Sequence, residues 1–296
     1  MAELLALCAA FMFALAAALQ QKGALGLEGV SLRSPGSFVR LAGQKFWLLG
    51  TAALLGGYLF QAVALSKGQL AIVQPLLVTT IVFALPLGHF LTQQAVDRRQ
   101  IVAAGLVVVG LAVFTVVGNA AQGNDDAPSW EWAVAIVVLG TAAAVLAAIG
   151  GRGSLARKAG TYGACAGLLY GLSASLWKPT SASFSSGGLG GMLGNWELYA
   201  FAVAGILGFL VQQVSLATGR LAPSVAMTSV VNPLVSILIG TALLDERLAG
   251  PTWHKILAYT GLALALVAAM LITRAAEEAR APGPDLGPAG ATATST

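Results

Sequence analysis

Charge is scarce in this sequence of 296 residues. Lysine and arginine contribute 16 side chains and aspartate and glutamate contribute 12, so charged residues make up 9% of the chain. Soluble domains carry about 25% charged residues, and a water-soluble globular protein is therefore excluded. Hydrophobic residues account for 57% of the chain, and the mean hydropathy is +0.81. This composition predicts an integral membrane protein.

Cysteines and motifs for catalysis or metal binding are also scarce. Cys8 and Cys165 both fall inside apolar segments, which excludes a disulfide framework and a cysteine-based metal site. His89 and His254 lie at predicted helix ends, and no zinc-protease, nucleophile-elbow or phosphate-loop pattern is present. The glycine-rich run 187–191 lacks the Lys-Ser/Thr pair of a phosphate loop, so we predict a flexible external loop there. We expect no enzyme activity and no cofactor.

Long apolar runs are what the sequence has instead. A helix of about 20 apolar residues crosses a bilayer core about 30 Å thick. The first run follows Glu3 rather than the Lys or Arg of a signal peptide, so we expect it to be a retained helix. The predicted fold class is an all-α integral membrane protein with about nine transmembrane helices. They fall at residues 3–22, 45–66, 70–91, 100–118, 130–150, 159–178, 196–217, 221–244 and 254–273.

Basic residues are distributed unevenly between the predicted loops. Twelve of the 16 lie in the loops after helices 1, 3, 5 and 7 or in the C-terminal tail. Because basic loops stay in the cytoplasm, the N-terminus is predicted outside the cell and the C-terminus in the cytoplasm. The chain is expected in the lipid bilayer of the cytoplasmic membrane, and its net charge of +4 is no sign of nucleic-acid binding. All six tryptophans fall at predicted helix ends, where we expect them at the membrane interface.

An internal repeat divides the chain. Segment 57–71 and segment 208–222 share eight of 15 positions, among them the pair Gln61 and Gln212. Helix 1 also aligns with helix 6, and helix 4 with helix 9. The predicted organisation is a first repeat of helices 1–4, a linker containing helix 5, a second repeat of helices 6–9 and a disordered cytoplasmic tail. The bounds of these parts are 1–118, 119–158, 159–273 and 274–296.

The repeat is predicted to have inverted topology. Helices 1 and 6 are five crossings apart, which is an odd number, so they must cross the membrane in opposite directions. Inverted repeats have two near-equivalent arrangements, one open to each side, and this is the basis of alternating access in transporters. The sequence therefore predicts a secondary transporter.

The chain apart from its tail resembles the drug/metabolite transporter superfamily, also called the EamA-like fold. The segment VNPLVSILIGTALLDERL, residues 231–248, is similar to that superfamily's mid-helix proline followed 13 residues later by a glutamate, here Pro233 and Glu246. Gly261 matches a glycine of the next helix. The resemblance implies a transporter of small solutes. The superfamily usually has ten helices with both termini in the cytoplasm, and this chain departs from that pattern.

The first half is similar to the NIPA-type magnesium transporter branch of the superfamily. The resemblance rests on Trp47, Gly50 and the segment 73–76, together with the nine crossings. Tyr58 and Gln94 stand where that branch has glutamates. The branch implies magnesium transport, and the two departures argue against it.

A transport site is expected near mid-membrane at the boundary between the repeats. Unpaired polar groups are costly at that depth, so each one present needs a reason, and its alternative role is a hydrogen bond between helices. The candidate substrate-binding residues are Gln20, Tyr58, Gln61, Tyr170, Gln212, Gln213, Asn232 and Tyr259.

Carboxylates decide between the substrate classes. No aspartate, glutamate, lysine or arginine falls in the middle of a predicted helix, whereas Mg²⁺ is bound by carboxylate oxygens. Asp245 and Glu246, at the outer end of helix 8, form either an ion-attracting mouth or a solvated turn. The prediction is transport of a neutral or zwitterionic metabolite, with magnesium-like cation transport as the alternative. A membrane lipid-handling protein or enzyme is the alternative from another class, and a homodimer is compatible with all three.

Overall fold

A computed structural model describes residues 1–25, 27, 30–31, 34–67, 76–117, 120–121, 124, 126–245, 247–248 and 251–278. The fold is all-α apart from one antiparallel pair of two-residue strands, in which Ala120 lies opposite Leu248. The helices are α1 (Ala2–Ala24), α2 (Pro35–Ala42), α3 (Lys45–Lys67), α4 (Thr80–Thr92), α5 (Arg98–Val117), α6 (Ser129–Gly150), α7 (Leu155–Gly194), α8 (Trp196–Ala217), α9 (Leu221–Ala242) and α10 (Thr252–Glu278). The strands are β1 (Ala120–Ala121) and β2 (Arg247–Leu248).

The apolar runs of the sequence form the long helices. Within the described residues, five helices are long and apolar enough to cross a membrane, namely α1, α6, α8, α9 and most of α10. The apolar stretch Leu76–Thr92, which contains α4, is shorter. The predicted third helix began at residue 70, and residues 68–75 lie outside the described part of the chain. Long apolar helices of this kind are typical of a membrane-embedded protein.

The helices run up and down between two ends of the bundle. At one end, which we call the basic end, α1, α4, α6, α8 and α10 finish and the following long helices begin. There Arg99 Nη1 lies 2.6 Å from Glu278 Oε2, joining the start of α5 to the end of α10. At the other end, which we call the strand end, β1 pairs with β2, and the Asn124 amide donates to the carbonyl of Leu244 at 2.7 Å.

One apolar core is shared by both halves of the chain. It contains buried residues of α1, α4 and α5 from the first half and of α9 and α10 from the second, together with Leu216 of α8. A smaller cluster lies around Trp132, which is fully buried between α6, α7, α8 and α9. Its indole N–H donates to Asp126 at 3.0 Å. Trp132, in the first turn of α6, therefore packs inside the bundle, where its polar group finds a protein partner.

Glycines allow the closest helix crossings. A Cβ on Gly110 of α5 would lie 2.4 Å from the carbonyl oxygen of Gly261 on α10. Between α7 and α9, a Cβ on Gly163 would lie 2.6 Å from the Ser224 oxygen, and one on Gly171 would lie 2.6 Å from Val235 Cβ. Small residues let helix backbones approach in this way in membranes.

The structure corrects the predicted loop after the sixth helix. Segment 187–191 is helical except at Gly188, whose φ of 60° and ψ of −153° suit glycine. In this part of the helix serine hydroxyls donate to carbonyls one turn back, for example Ser183 to Pro179 at 3.0 Å and Ser186 to Ala182 at 3.1 Å. After the break at Gly188 the chain folds back, and Asn195 donates to the Ser183 hydroxyl. The loop prediction was therefore wrong.

The C-terminal boundary is also corrected. Residues 274–278, predicted as the start of a disordered tail, continue α10. The ion pair between Arg99 and Glu278 lies on this last turn. The rest of the predicted tail, 279–296, lies outside the described residues. The short helix α2, between α1 and α3, was not predicted.

Candidate functional site

The candidate substrate-binding residues do not form one cluster. Two of them join the halves of the chain at the basic end, one ties helices of the second half together, and one lies on the outside of the bundle. The remaining four lie on α3, α7 and α9. The hydrogen bonds of each group determine what it can do.

Gln20 and Gln213 belong to a buried hydrogen-bond chain across the two halves. The indole N–H of Trp47 on α3 donates to Gln213 Oε1 on α8 at 2.8 Å. Gln213 Nε2 donates to Gln20 Oε1 on α1 at 3.1 Å, and Gln20 Nε2 donates to the Thr51 hydroxyl at 3.4 Å. The Trp47 ring also lies edge-on to Phe209, with ring centroids 6.1 Å apart. Sequence reasoning gave Trp47 only an interfacial role, because nothing in the sequence pairs it with residue 213.

A second polar contact across the halves lies beside this chain. The Gln21 amide is fully buried, and its oxygen lies 2.6 Å from Gln94 Nε2 and 3.2 Å from the Thr92 hydroxyl. Gln94 Oε1 accepts from the backbone N–H of Leu221, the first residue of α9, at 3.0 Å. Gln94 therefore satisfies one of the free amides at the start of α9.

Gln212 is committed to packing within the second half. Its Nε2 donates to the Ser224 hydroxyl at 3.1 Å, and its Oε1 accepts from Thr228 at 2.8 Å. Thr228 also lies 2.9 Å from the carbonyl of Gly163 on α7. Both ends of the amide are therefore used to join α8 to α9, which is the structural role that we weighed against substrate binding.

The side-chain amides of Gln61 and Asn232 have hydrogen-bonding groups that no described residue uses. Both are half-buried, and neither side chain has a hydrogen-bond partner among the described residues. Gln61 lies on the face of α3 that also bears Trp47, because both belong to a helical series at spacings of three and four with Thr51, Leu54 and Tyr58. Asn232 follows Thr228 on α9 at a spacing of four. A half-buried amide without a partner is available to a ligand.

Tyr58 and Tyr170 each pack against a neighbouring helix of their own half of the chain. The Tyr58 ring packs edge-on to Phe13 of α1, with centroids 5.2 Å apart. Its side chain is 55% exposed. Tyr170 packs against Gly208, where a Cβ would lie 3.0 Å from the ring. Tyr58 is therefore accessible on α3, whereas Tyr170 is half-buried against α8.

Tyr259 lies on α10, and Asp245 lies at the strand end. Tyr259 is 49% exposed on an outer face of α10. Asp245 is exposed, with a φ of 52°, and accepts from Asn124 Nδ2 at 3.1 Å. Glu246 lies outside the described residues. Among those residues no group of three or more histidine, cysteine, aspartate or glutamate side chains could hold a metal ion.

Glu197 is a buried carboxylate that its sequence context does not reveal. Glu197, in the first turn of α8, is only 7% exposed, and its Oε2 has no hydrogen-bond partner in the part of the chain that the structure describes. By sequence it resembles an ordinary acidic residue that stabilises a helix start. Only the packing of α8 against α7 reveals its burial.

Comparison with known proteins adds one relative and no function. The chain is 29% identical over 279 residues to a protein of Corynebacterium glutamicum described as uncharacterized. The match covers 90% of this chain and 94% of that protein, so the two are similar over nearly their whole length. No family model and no solved structure matches the chain.

Proposed function

We propose that this chain is a secondary transporter of a small neutral or zwitterionic solute in the cytoplasmic membrane. Its nine transmembrane helices form two inverted repeats of the drug/metabolite transporter type, and the solute passes between the repeats by alternating access. The basic end faces the cytoplasm. The observation that carries the proposal is a set of uncharged polar side chains with unused hydrogen-bonding capacity, namely Gln61 on α3 and Asn232 on α9, together with the exposed phenol of Tyr58 on α3.

Two features of the packing support the inverted repeat. Helix α1 ends at the basic end, where α7 begins, so the first helices of the two repeats run in opposite directions. The same contact also occurs once in each repeat, since the Phe13 ring packs on Gly57 and the Tyr170 ring packs on Gly208. These four residues are the pairs that the sequence alignment of the repeats matches.

The chemistry of the boundary favours an uncharged solute or a zwitterion. Amide and phenol groups can both donate and accept hydrogen bonds, and they bring no net charge. A singly charged solute would be left without a counter-charge at membrane depth, which is costly. A solute with several hydrogen-bonding groups and no net charge would lose its water to Tyr58, Gln61 and Asn232 without that penalty.

Transport by the purified chain in proteoliposomes tests the proposal. A cell metabolite extract is placed outside, and a magnesium-sensitive dye is placed inside to detect the cation alternative. The critical variant is Tyr58→Phe, and its matched control is Tyr259→Phe, because each removes a single phenol oxygen, one on α3 and one on the outer face of α10. We expect one uncharged or zwitterionic metabolite to accumulate, at a rate reduced by up to about tenfold in Tyr58→Phe, which corresponds to one lost polar contact.

The competing outcomes are distinct. A dye response that disappears in Glu246→Gln would establish cation transport and overturn the choice of solute. Equal transport rates in Tyr58→Phe and Tyr259→Phe would show that the solute does not bind at Tyr58. If neither metabolites nor magnesium cross liposomes that contain folded protein, the transport proposal is wrong.

A further inference from the structure

The two halves meet at the basic end through buried side chains. Gln213 is 1% exposed and Gln20 is 4% exposed, and with Trp47 they form the hydrogen-bond chain that links α8, α1 and α3. Packing joins the halves at the same end, because a Cβ on Gly219, after α8, would lie 3.0 Å from the side chain of Leu25, after α1. We call Trp47, Gln213 and Gln20 the basic-end contact.

Towards the strand end the same face of α3 has fewer partners. The two side-chain contacts described between α3 and α8, Trp47 with Gln213 and Trp47 with Phe209, both lie at the basic end. Further along α3, Tyr58 is 55% exposed and Gln61 has no hydrogen-bond partner among the described residues. Among the described residues, the side-chain contacts that join α3 to α8 are therefore found at the basic end.

We propose that the basic-end contact is a gate that closes the solute path at that end and must break before the path opens there. The inference rests on the proposed transport function. The structure then represents the state in which Tyr58 and Gln61 are reached from the strand end, with the basic end shut.

The chemistry of the contact suits a gate that opens repeatedly. Its hydrogen bonds join neutral groups, and such bonds between membrane helices are individually weak. Water that enters as the helices part can replace each lost partner, so no charge is stranded. Gln213 makes two of these bonds, and losing each one should shift the opening equilibrium by about threefold.

Sided labelling of a reporter thiol tests the gate without any solute. Cys8→Ala and Cys165→Ser remove the native thiols, the second keeping the hydrogen bond that Cys165 Sγ donates to the Ala143 carbonyl. Leu54→Cys then places one thiol on α3, about one turn beyond Thr51. The full-length protein in right-side-out and inside-out membrane vesicles is treated with a membrane-impermeant maleimide. We expect labelling of position 54 from the strand end, and little from the basic end.

Two substitutions on α8 form the matched comparison. Gln213→Leu and Gln212→Leu each remove two hydrogen bonds from the same helix, but only Gln213 bonds to the first half. We expect Gln213→Leu to raise labelling from the basic end about tenfold, and Gln212→Leu to leave the sidedness unchanged. Equal labelling from both ends in the parent, or an equal rise in both variants, would show that the contact is not a gate.

Cross-linking covers the case in which Gln213→Leu does not fold. Gln20→Cys and Gln213→Cys are joined by a short, cleavable thiol cross-linker in the protein without Leu54→Cys. Solute exchange should stop and should return when the linker is cleaved, whereas exchange through the cross-linked protein would rule the gate out. The proposed function and the gate can fail separately. If transport is absent but labelling is sided as expected, the transport function is wrong and the closing contact stands. If transport occurs but labelling is the same from both ends, only the gate is wrong.

Discussion

The crossing of α5 and α10 makes a quantitative prediction. Gly110→Ala would place a Cβ 2.4 Å from the Gly261 carbonyl oxygen and 2.8 Å from the backbone nitrogen of Ala265. Ordinary contacts of this kind begin near 3.4 Å, so the two backbones would have to separate by roughly 1 Å. Overpacking of this kind costs about 1–3 kcal/mol. We therefore expect Gly110→Ala to lower the free energy of unfolding by that amount.

Gly105→Ala on the same helix is the control. A Cβ at Gly105 meets nothing within 4 Å, and alanine is the better helix former by about 1 kcal/mol at water-exposed positions. Unfolding of the purified protein by increasing SDS in mixed micelles, followed by circular dichroism, would compare the two variants. We expect Gly105→Ala to match or exceed the parent and Gly110→Ala to unfold at lower SDS. If both variants unfolded at the same SDS concentration, the backbone contact between α5 and α10 would be refuted.

Three further predictions follow from individual contacts. Gln212→Ala should destabilise the protein by about 1–2 kcal/mol because two interhelical hydrogen bonds are lost, whereas Gln61→Ala should leave the unfolding midpoint unchanged. If Gln61→Ala were the more destabilising of the two, their assigned roles would be exchanged. Trp132→Phe should cost about 1–3 kcal/mol, since it leaves a cavity and removes a buried bond, and a thermal shift under 1 °C would contradict its burial. Arg99→Ala should change stability by less than about 1 kcal/mol, because Arg99 and Glu278 are both exposed, and a larger, salt-sensitive loss would show a stronger pair.

The positions of the long helices could be read from the sequence. The predicted segment 196–217 coincides with α8, and 130–150 differs from α6 by one residue at its start. Bilayer thickness explains this agreement, since an apolar run of the required length is itself the signal. The continuation of α7 to Gly194 could not be predicted, because serine and glycine favour loops by composition and here the serine hydroxyls bond back to the helix.

The candidate site was predictable only in its residue types. The free-energy cost of burying an amide marks the glutamines as important. It does not distinguish the role of Gln61 from that of Gln212, because that difference depends on which hydroxyls of α9 face α8. Tyr259 shows a second limit. α10 is apolar on nearly every face, so its sequence does not reveal which side points away from the bundle. Trp47 required both halves to be docked before its indole N–H could be given a partner.

The shared core has a consequence for how the chain matures in the cell. Ile81 of α4 and Leu111 of α5 are buried in the same cluster as Leu221 of α9 and Ile272 of α10, and those helices leave the ribosome much later. Helices of the first half can enter the bilayer as they are made, but their inner faces stay unpaired until the last helix arrives. A ribosome that stops after α8 would therefore leave a membrane-inserted chain without a finished core, which is a natural target for membrane proteases.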